Sequence, residues 1–196
     1  MARVTVRGTI SSAGFPSGDR FVVGHWPVSP VGPMGDVMWG TPEGHRILLA
    51  PSDEVAEFVT SIYDFDQVRI GELATESDGR VTTARGFGLD LRLVGGRKVP
   101  IPFPRPLSIT RWVEAPIARA LMGVETFGTS AQGATEWYQS RGWRWVDDGH
   151  AILDGRDLGA PGAVEPPLSV GFSEPPSRPS VVDVHVTIDL PEPARI

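Results

Sequence analysis

The sequence predicts an α+β fold built mainly of antiparallel β-structure: a barrel or strongly curved sheet with one or two helices packed on it. Three observations predict it. Alternating apolar and polar residues open and close the chain, short apolar runs separated by Gly and Pro fill its first half, and one segment has amphipathic helical spacing. A two-sheet β-sandwich fits the same pattern and stays open as the alternative. With 196 residues, 40% of them hydrophobic, the chain is long enough for one sizeable core, so a single domain over residues 1-196 is expected.

The first strand places Val4, Val6 and Ile10 on one face and Arg3, Thr5, Arg7 and Thr9 on the other. After a turn at Gly14, Pro16 and Gly18, the run from Phe21 to Trp26 is apolar on both faces and reads as a central strand. The loop Pro27 to Gly35 is too rich in Pro and Gly for regular structure, and strand pattern resumes over Asp36 to Trp39 and again over His45 to Ala50. Ser52 followed by Asp53 and Glu54 marks a helix start, and Val55, Phe58, Val59, Ile62 and Tyr63 form one helical face, which predicts a helix over Ser52 to Tyr63.

Asp66 to Leu73 and Arg80 to Val94 read as strands, with Asp78-Gly79 as a turn. The alternate prolines from Pro100 to Pro106 suit only an extended edge, and Ser108 to Met122 has helical spacing interrupted by Pro116. Asp148-Gly149 is a two-residue hairpin signal that would set Trp145 opposite Ile152 and Asp147 opposite His150. Residues 159-179 form a Pro/Gly-rich loop with a short strand candidate at Leu168 to Phe172, and Val182 to Leu190 alternates cleanly as the last strand.

Composition excludes several classes of function. The absence of cysteine rules out disulfides, thiolate zinc sites, iron–sulfur clusters and cysteine nucleophiles. A formal charge of −6 gives no footprint for nucleic acid. No apolar run reaches the roughly 18 residues of a membrane helix, and the N-terminus enters a strand pattern instead of a signal peptide, so a soluble, cytoplasmic protein is expected. His25, His45, His150 and His185 are far apart, and no nucleotide or nucleophile-elbow motif is present; no metal and no cofactor are expected.

The candidate site residues are therefore scattered ones. His25 and Asp36, at the ends of the Pro/Gly loop, are the candidate acid–base pair. Trp26 and Trp39 flank the same loop and would border a ligand, with Pro27 to Gly35 over the mouth of the site. Trp143 and Trp145 share one strand face and offer stacking surface or core packing, and His185 becomes a pocket residue if its face of the last strand lines a barrel interior. Three functions stay open: a barrel binding a small apolar or aromatic molecule, a cofactor-independent lyase, isomerase or hydrolase using the His/Asp pair, and a packed structural domain. A homo-oligomer is compatible with all three.

Overall fold

A computed structural model of the chain describes residues 2–101, 127–129, 133–171 and 174–190. In chain order its elements are β1 (Ala2–Gly14), β2 (Arg20–Val28), β3 (Met34–Gly40), β4 (Arg46–Ala50), α1 (Asp53–Thr60), β5 (Gln67–Ile70), β6 (Leu73–Ser77), β7 (Val81–Gly86), β8 (Leu89–Gly95), β9 (Val99–Pro100), β10 (Phe127–Thr129), β11 (Thr135–Leu153), β12 (Arg156–Asp157) and β13 (Ser180–Leu190). The helix expected over 108–122 and the prolines at 102–106 lie outside the described residues.

One continuous ladder runs β5-β4-β3-β2-β1-β13-β11-β8-β7-β6, while β9, β10 and β12 pair with β11. Every pair along it is antiparallel except β4 with β5, the two strands that α1 connects. The sheet curls strongly, so that β6 at one end packs over β2 and β3. There His25 Nδ1 lies 3.0 Å from the Thr75 carbonyl oxygen. The result is an α+β half-barrel carrying a helix, and the sandwich alternative is not what forms.

The helix follows from its signals. Ser52 accepts a hydrogen bond from the Val55 N–H at 3.4 Å, Asp53 and Glu54 occupy the first turn, and Val55, Ala56, Phe58 and Val59 are buried. It ends at Thr60, earlier than the spacing predicts. Ile62 and Tyr63 stay on the same side because both their N–H groups donate to the Val59 carbonyl, at 3.1 and 3.0 Å.

Three strand assignments are corrected. Asp66 to Leu73 is not one strand: β5 ends at Ile70, and Leu73 opens β6, which pairs with β7 at the other end of the ladder. Arg80 to Val94 is not one strand: Phe87 (φ 54°) and Gly88 (φ 78°) turn the chain between β7 and β8. Asp148-Gly149 is no hairpin either. β11 runs straight through it, Gly149 pairing with Leu93 and His150 with Arg92 of β8, so Trp145 does not meet Ile152 and Asp147 does not meet His150. A Cβ at Gly149 would stand 2.5 Å from the Arg92 carbonyl oxygen, so this glycine serves close strand approach and not a turn. The turn falls at the next Asp-Gly pair, Asp154 (φ 51°) and Gly155 (φ 77°), which joins β11 to β12.

The curl divides the core by sheet face. One face packs Phe21, Val23, Val37, Leu49, Leu91 and Leu93 together. The other packs Val184, Val186 and Ile188 with α1. Along β13, Val184, Val186, Ile188 and Leu190 are buried while Asp183, His185, Thr187 and Asp189 between them are partly exposed, the alternation the sequence predicts. The loop from 159 is tied down where it is described: Arg20 Nη1 donates to the Pro166 carbonyl at 2.7 Å, the Asp64 N–H donates to the Val170 carbonyl at 2.8 Å, and Val164, Leu168 and Val170 are buried. Leu168 to Gly171 forms no strand.

Candidate functional site

A cavity of about 400 Å3 lies between the sheet and the helix. The ladder registers explain its floor. Trp26 pairs with Met34, Gly24 with Asp36 and Val22 with Met38, and these six residues line one side. Val182, Val184, Val186 and Ile188 of β13 continue it beneath Val6 and Ile10 of β1. On β11 the residues paired to that β13 face are Trp143, Ser140, Tyr138 and Glu136. The roof is Phe58, Val59, Ile62 and Tyr63, together with Leu168, Val170 and the segment from Glu174 to Pro176.

A bulge sets who faces the cavity. The β11–β13 register shifts between Ser140 and Gly142, so the even-numbered Glu136, Tyr138 and Ser140 share a face with the odd-numbered Trp143. Under unbroken alternation Trp143 would share the opposite face with Gln139 and Arg141.

Three carboxyls sit in this apolar lining, and Glu174 among them is held by the Leu168 and Ser169 N–H groups. Glu136 is 0% exposed; its Oε2 accepts hydrogen bonds from the Tyr63 and Tyr138 hydroxyls, each at 2.9 Å, while Oε1 is buried with no partner among the described residues. Burial raises its pKa to about 7, although both phenols pull the other way. The Tyr63 and Tyr138 hydroxyls also contact each other. Burial first, with Glu136 among the neighbouring causes, lifts both phenols well above their ordinary range, so they serve as donors throughout the neutral range.

Asp36 is the second carboxyl. It is buried, its Oδ1 accepts from Trp26 Nε1 at 2.8 Å, and burial raises its pKa to about 6 against the lowering effect of that bond. Gly24, directly opposite on β2, leaves the room: a Cβ there would stand 2.3 Å from both Asp36 Oδ1 and Trp26 Nε1. Tyr138 lies within electrostatic reach of Asp36, which connects the two carboxyl sites. Trp143 Nε1, also at the cavity, is a buried donor with no partner among the described residues.

The structure sorts the candidates from sequence onto different faces. Asp36, Trp26 and Trp143 line the cavity. His25 does not join Asp36: it pairs with Gly35 while Asp36 pairs with Gly24, and adjacent strand positions point to opposite faces. Instead His25 and His185 share a polar groove on the other side with Arg7, Lys98, Arg141 and Asp183. There burial, Arg141 and Arg7 together lower the His185 pKa.

Trp39 points to the face of β3 opposite the cavity, stacked on Phe21 with ring centroids 6.0 Å apart and its Nε1 donating to Asp19 at 2.9 Å. Trp145 lies edge-on to Trp143 at 6.3 Å, beneath the Arg178 guanidinium at 4.8 Å, and is not part of the lining. The loop at Ser29 to Pro33 is short, because β2 extends to Val28 and β3 starts at Met34. Glu136, Tyr138 and Tyr63 as a cluster are absent from the sequence-based candidates. Their signal was an acid two residues from a tyrosine on an otherwise half-buried strand, Glu136-Trp137-Tyr138.

Among the described residues no group of His, Cys, Asp and Glu is placed to hold a metal ion, and no helix is long and apolar enough to cross a membrane. No family model matches the sequence, and no curated protein matches it. Among solved structures the chain is similar to the acetoacetate decarboxylase of Legionella pneumophila subsp. pneumophila, at 10% identity over 97% of this chain and 86% of that one, with a TM-score of 0.44.

Proposed function

We propose that this protein binds a small, predominantly apolar molecule in the cavity between α1 and the sheet face that carries Trp26, Asp36 and Val186. The observation that carries the reading is the lining itself: a space of about 400 Å3 walled by aliphatic and aromatic residues from five strands, a helix and a covering loop. That volume lies within the ~300 to 1,000 Å3 of ligand pockets, and a few polar groups in an apolar wall are their usual composition. A structural domain with a packed interior leaves no such space.

N-phenyl-1-naphthylamine, a neutral apolar dye, tests this reading. The wild type is expected to bind it saturably with a rise in fluorescence. Val186→Phe, which fills the floor of the cavity, is expected to abolish the rise while keeping the fold by circular dichroism. Absence of saturable binding to the wild type would end the proposal.

A second reading, cofactor-independent proton transfer on the bound molecule, rests on one observation. Glu136 and Asp36 are held at about 7 and about 6, where a carboxyl exchanges protons readily at neutral pH. In this reading the acid–base pair is Asp36 with Glu136, and His25 takes no part. Exchange of the α-hydrogens of 2-undecanone with D2O, followed by NMR, is the test; an exchange rate equal in wild type and Glu136→Gln would exclude it.

A further inference from the structure

We infer that the ligand of the cavity is a long-chain amine, its alkyl chain lying along β13 and its ammonium group on Glu136. The inference rests on the cavity reading above and adds the chemistry of the head group and the shape of the tail.

The shape comes from the strand. Ser180, Val182, Val184, Val186 and Ile188, five successive residues on one face of β13, all line the cavity. At ~3.3 Å per residue they follow roughly 26 Å of strand, so the space is long for its volume. A slender chain fits such a space better than a compact ring system.

The head group comes from charge. The lining contains the carboxyls of Asp36, Glu136 and Glu174, and no lysine, arginine or histidine among the described residues. Glu174 is already engaged by the backbone N–H groups of Leu168 and Ser169, and Asp36 by Trp26. Glu136 is the lining carboxyl with an oxygen both buried and unsatisfied: Oε2 takes both tyrosine hydroxyls, and Oε1 has no partner among the described residues. An unpaired buried carboxyl oxygen is costly, and a donor supplied by the ligand removes that cost. An ammonium group donates and also neutralises the carboxylate; a fatty carboxylate does neither and is repelled. The position also fits, because Glu136 pairs with Ile188 at one end of the row and Trp143 with Val182 towards the other. The groups facing Glu136 are Tyr63, at the end of the helix, and Tyr138, on its own strand, with Asp36 of β3 within reach of Tyr138. All of these are neutral or negative when Glu136 is ionised.

The experiment is displacement of N-phenyl-1-naphthylamine from the wild type by dodecylamine, 1-dodecanol, dodecanoate and hexylamine, at about pH 8 so that Glu136, raised to about 7, is ionised. Dodecylamine is expected to bind about tenfold or more tighter than dodecanol, the margin of a charge-assisted over a neutral hydrogen bond. Dodecanoate is expected to displace nothing, and hexylamine to be much weaker than dodecylamine. In Glu136→Gln, amine and alcohol are expected to become equal. Dodecanol as tight as dodecylamine, or dodecanoate as the best competitor, would overturn the head group, and hexylamine equal to dodecylamine would overturn the chain. These comparisons are made within the wild type and stand even if the variant fails to fold. Failure of the dye itself to bind would overturn the cavity reading beneath them, a separate outcome.

Discussion

Trp26 and Asp36 face each other diagonally across the β2–β3 ladder, the indole Nε1 donating to the carboxyl Oδ1 at 2.8 Å over the bare Cα of Gly24. The bond partly offsets the desolvation that raises Asp36 to about 6. Trp26→Phe removes the donor and is expected to raise the Asp36 pKa further, at a stability cost of ~1 to 3 kcal/mol for the buried acceptor left behind. Carboxyl carbon shifts followed by NMR against pH measure it; an unchanged Asp36 midpoint would show that the bond does not form.

Gly24→Ala tests the same arrangement from the opposite side. Its Cβ at 2.3 Å from both partners must displace one of them, so loss of the Trp26–Asp36 bond and a drop in denaturation midpoint are expected. A variant as stable as wild type would mean that the two side chains sit elsewhere.

The two cavity carboxyls fix the sign of a pH dependence. Asp36 and Glu136 are raised from 3.8 to about 6 and from 4.5 to about 7, so the folded state binds more protons than the unfolded state between these values. Their contribution is fully present below about pH 4 and is lost as pH rises through 6 and 7, on the order of 3 kcal/mol for each group. Glu174, also raised by burial, adds to this; Asp66 and Asp189, lowered by Arg46 and Arg3, act oppositely at acid pH, and the lowered His185 opposes the trend below its unfolded value. Urea midpoints are therefore expected to fall from about pH 5 to pH 8, and the slope to flatten in Asp36→Asn with Glu136→Gln. A midpoint that rises over this interval would contradict the burial of both groups.

The helix α1 roofs the cavity through Phe58 and Val59, joined by Ile62 just past its end. Phe58→Ala is expected to cost ~3 to 5 kcal/mol, and Ser52→Ala, which removes the cap, ~1 kcal/mol. Chemical denaturation measures both. Equal costs for the two would mean that Phe58 is not packed on the sheet.

Legibility in the sequence followed how far each signal was local. The strands β1 and β13 and the helix were readable because period two and period 3.6 stand in their own residues. The β7–β8 turn was not, since Phe87 occupies a left-handed position (φ 54°) that usually goes to glycine, and its neighbours still alternate. Asp148-Gly149 misled because the same dipeptide serves a turn or a close approach, and only the position of Arg92 decides between them.

The site divides in the same way. Asp36 and Trp26, chosen because they flank the Pro/Gly loop between two apolar strands, both line the cavity. The His25 partnership failed on strand parity, and Trp39 was assigned to a site from which the alternation of β3 removes it. Glu136 stayed hidden because unbroken alternation sets it on the face opposite Trp143, and only the bulge at Ser140 to Gly142 brings the two onto one face.

The most direct test of the account is a crystal structure of the protein with N-phenyl-1-naphthylamine bound. The dye is expected between Phe58 and Val186, within contact of Tyr138 and Trp26, with Trp39 still stacked on Phe21 and untouched. Dye bound in the polar groove beside His25 and His185, with the space between α1 and β13 filled by side chains, would contradict it.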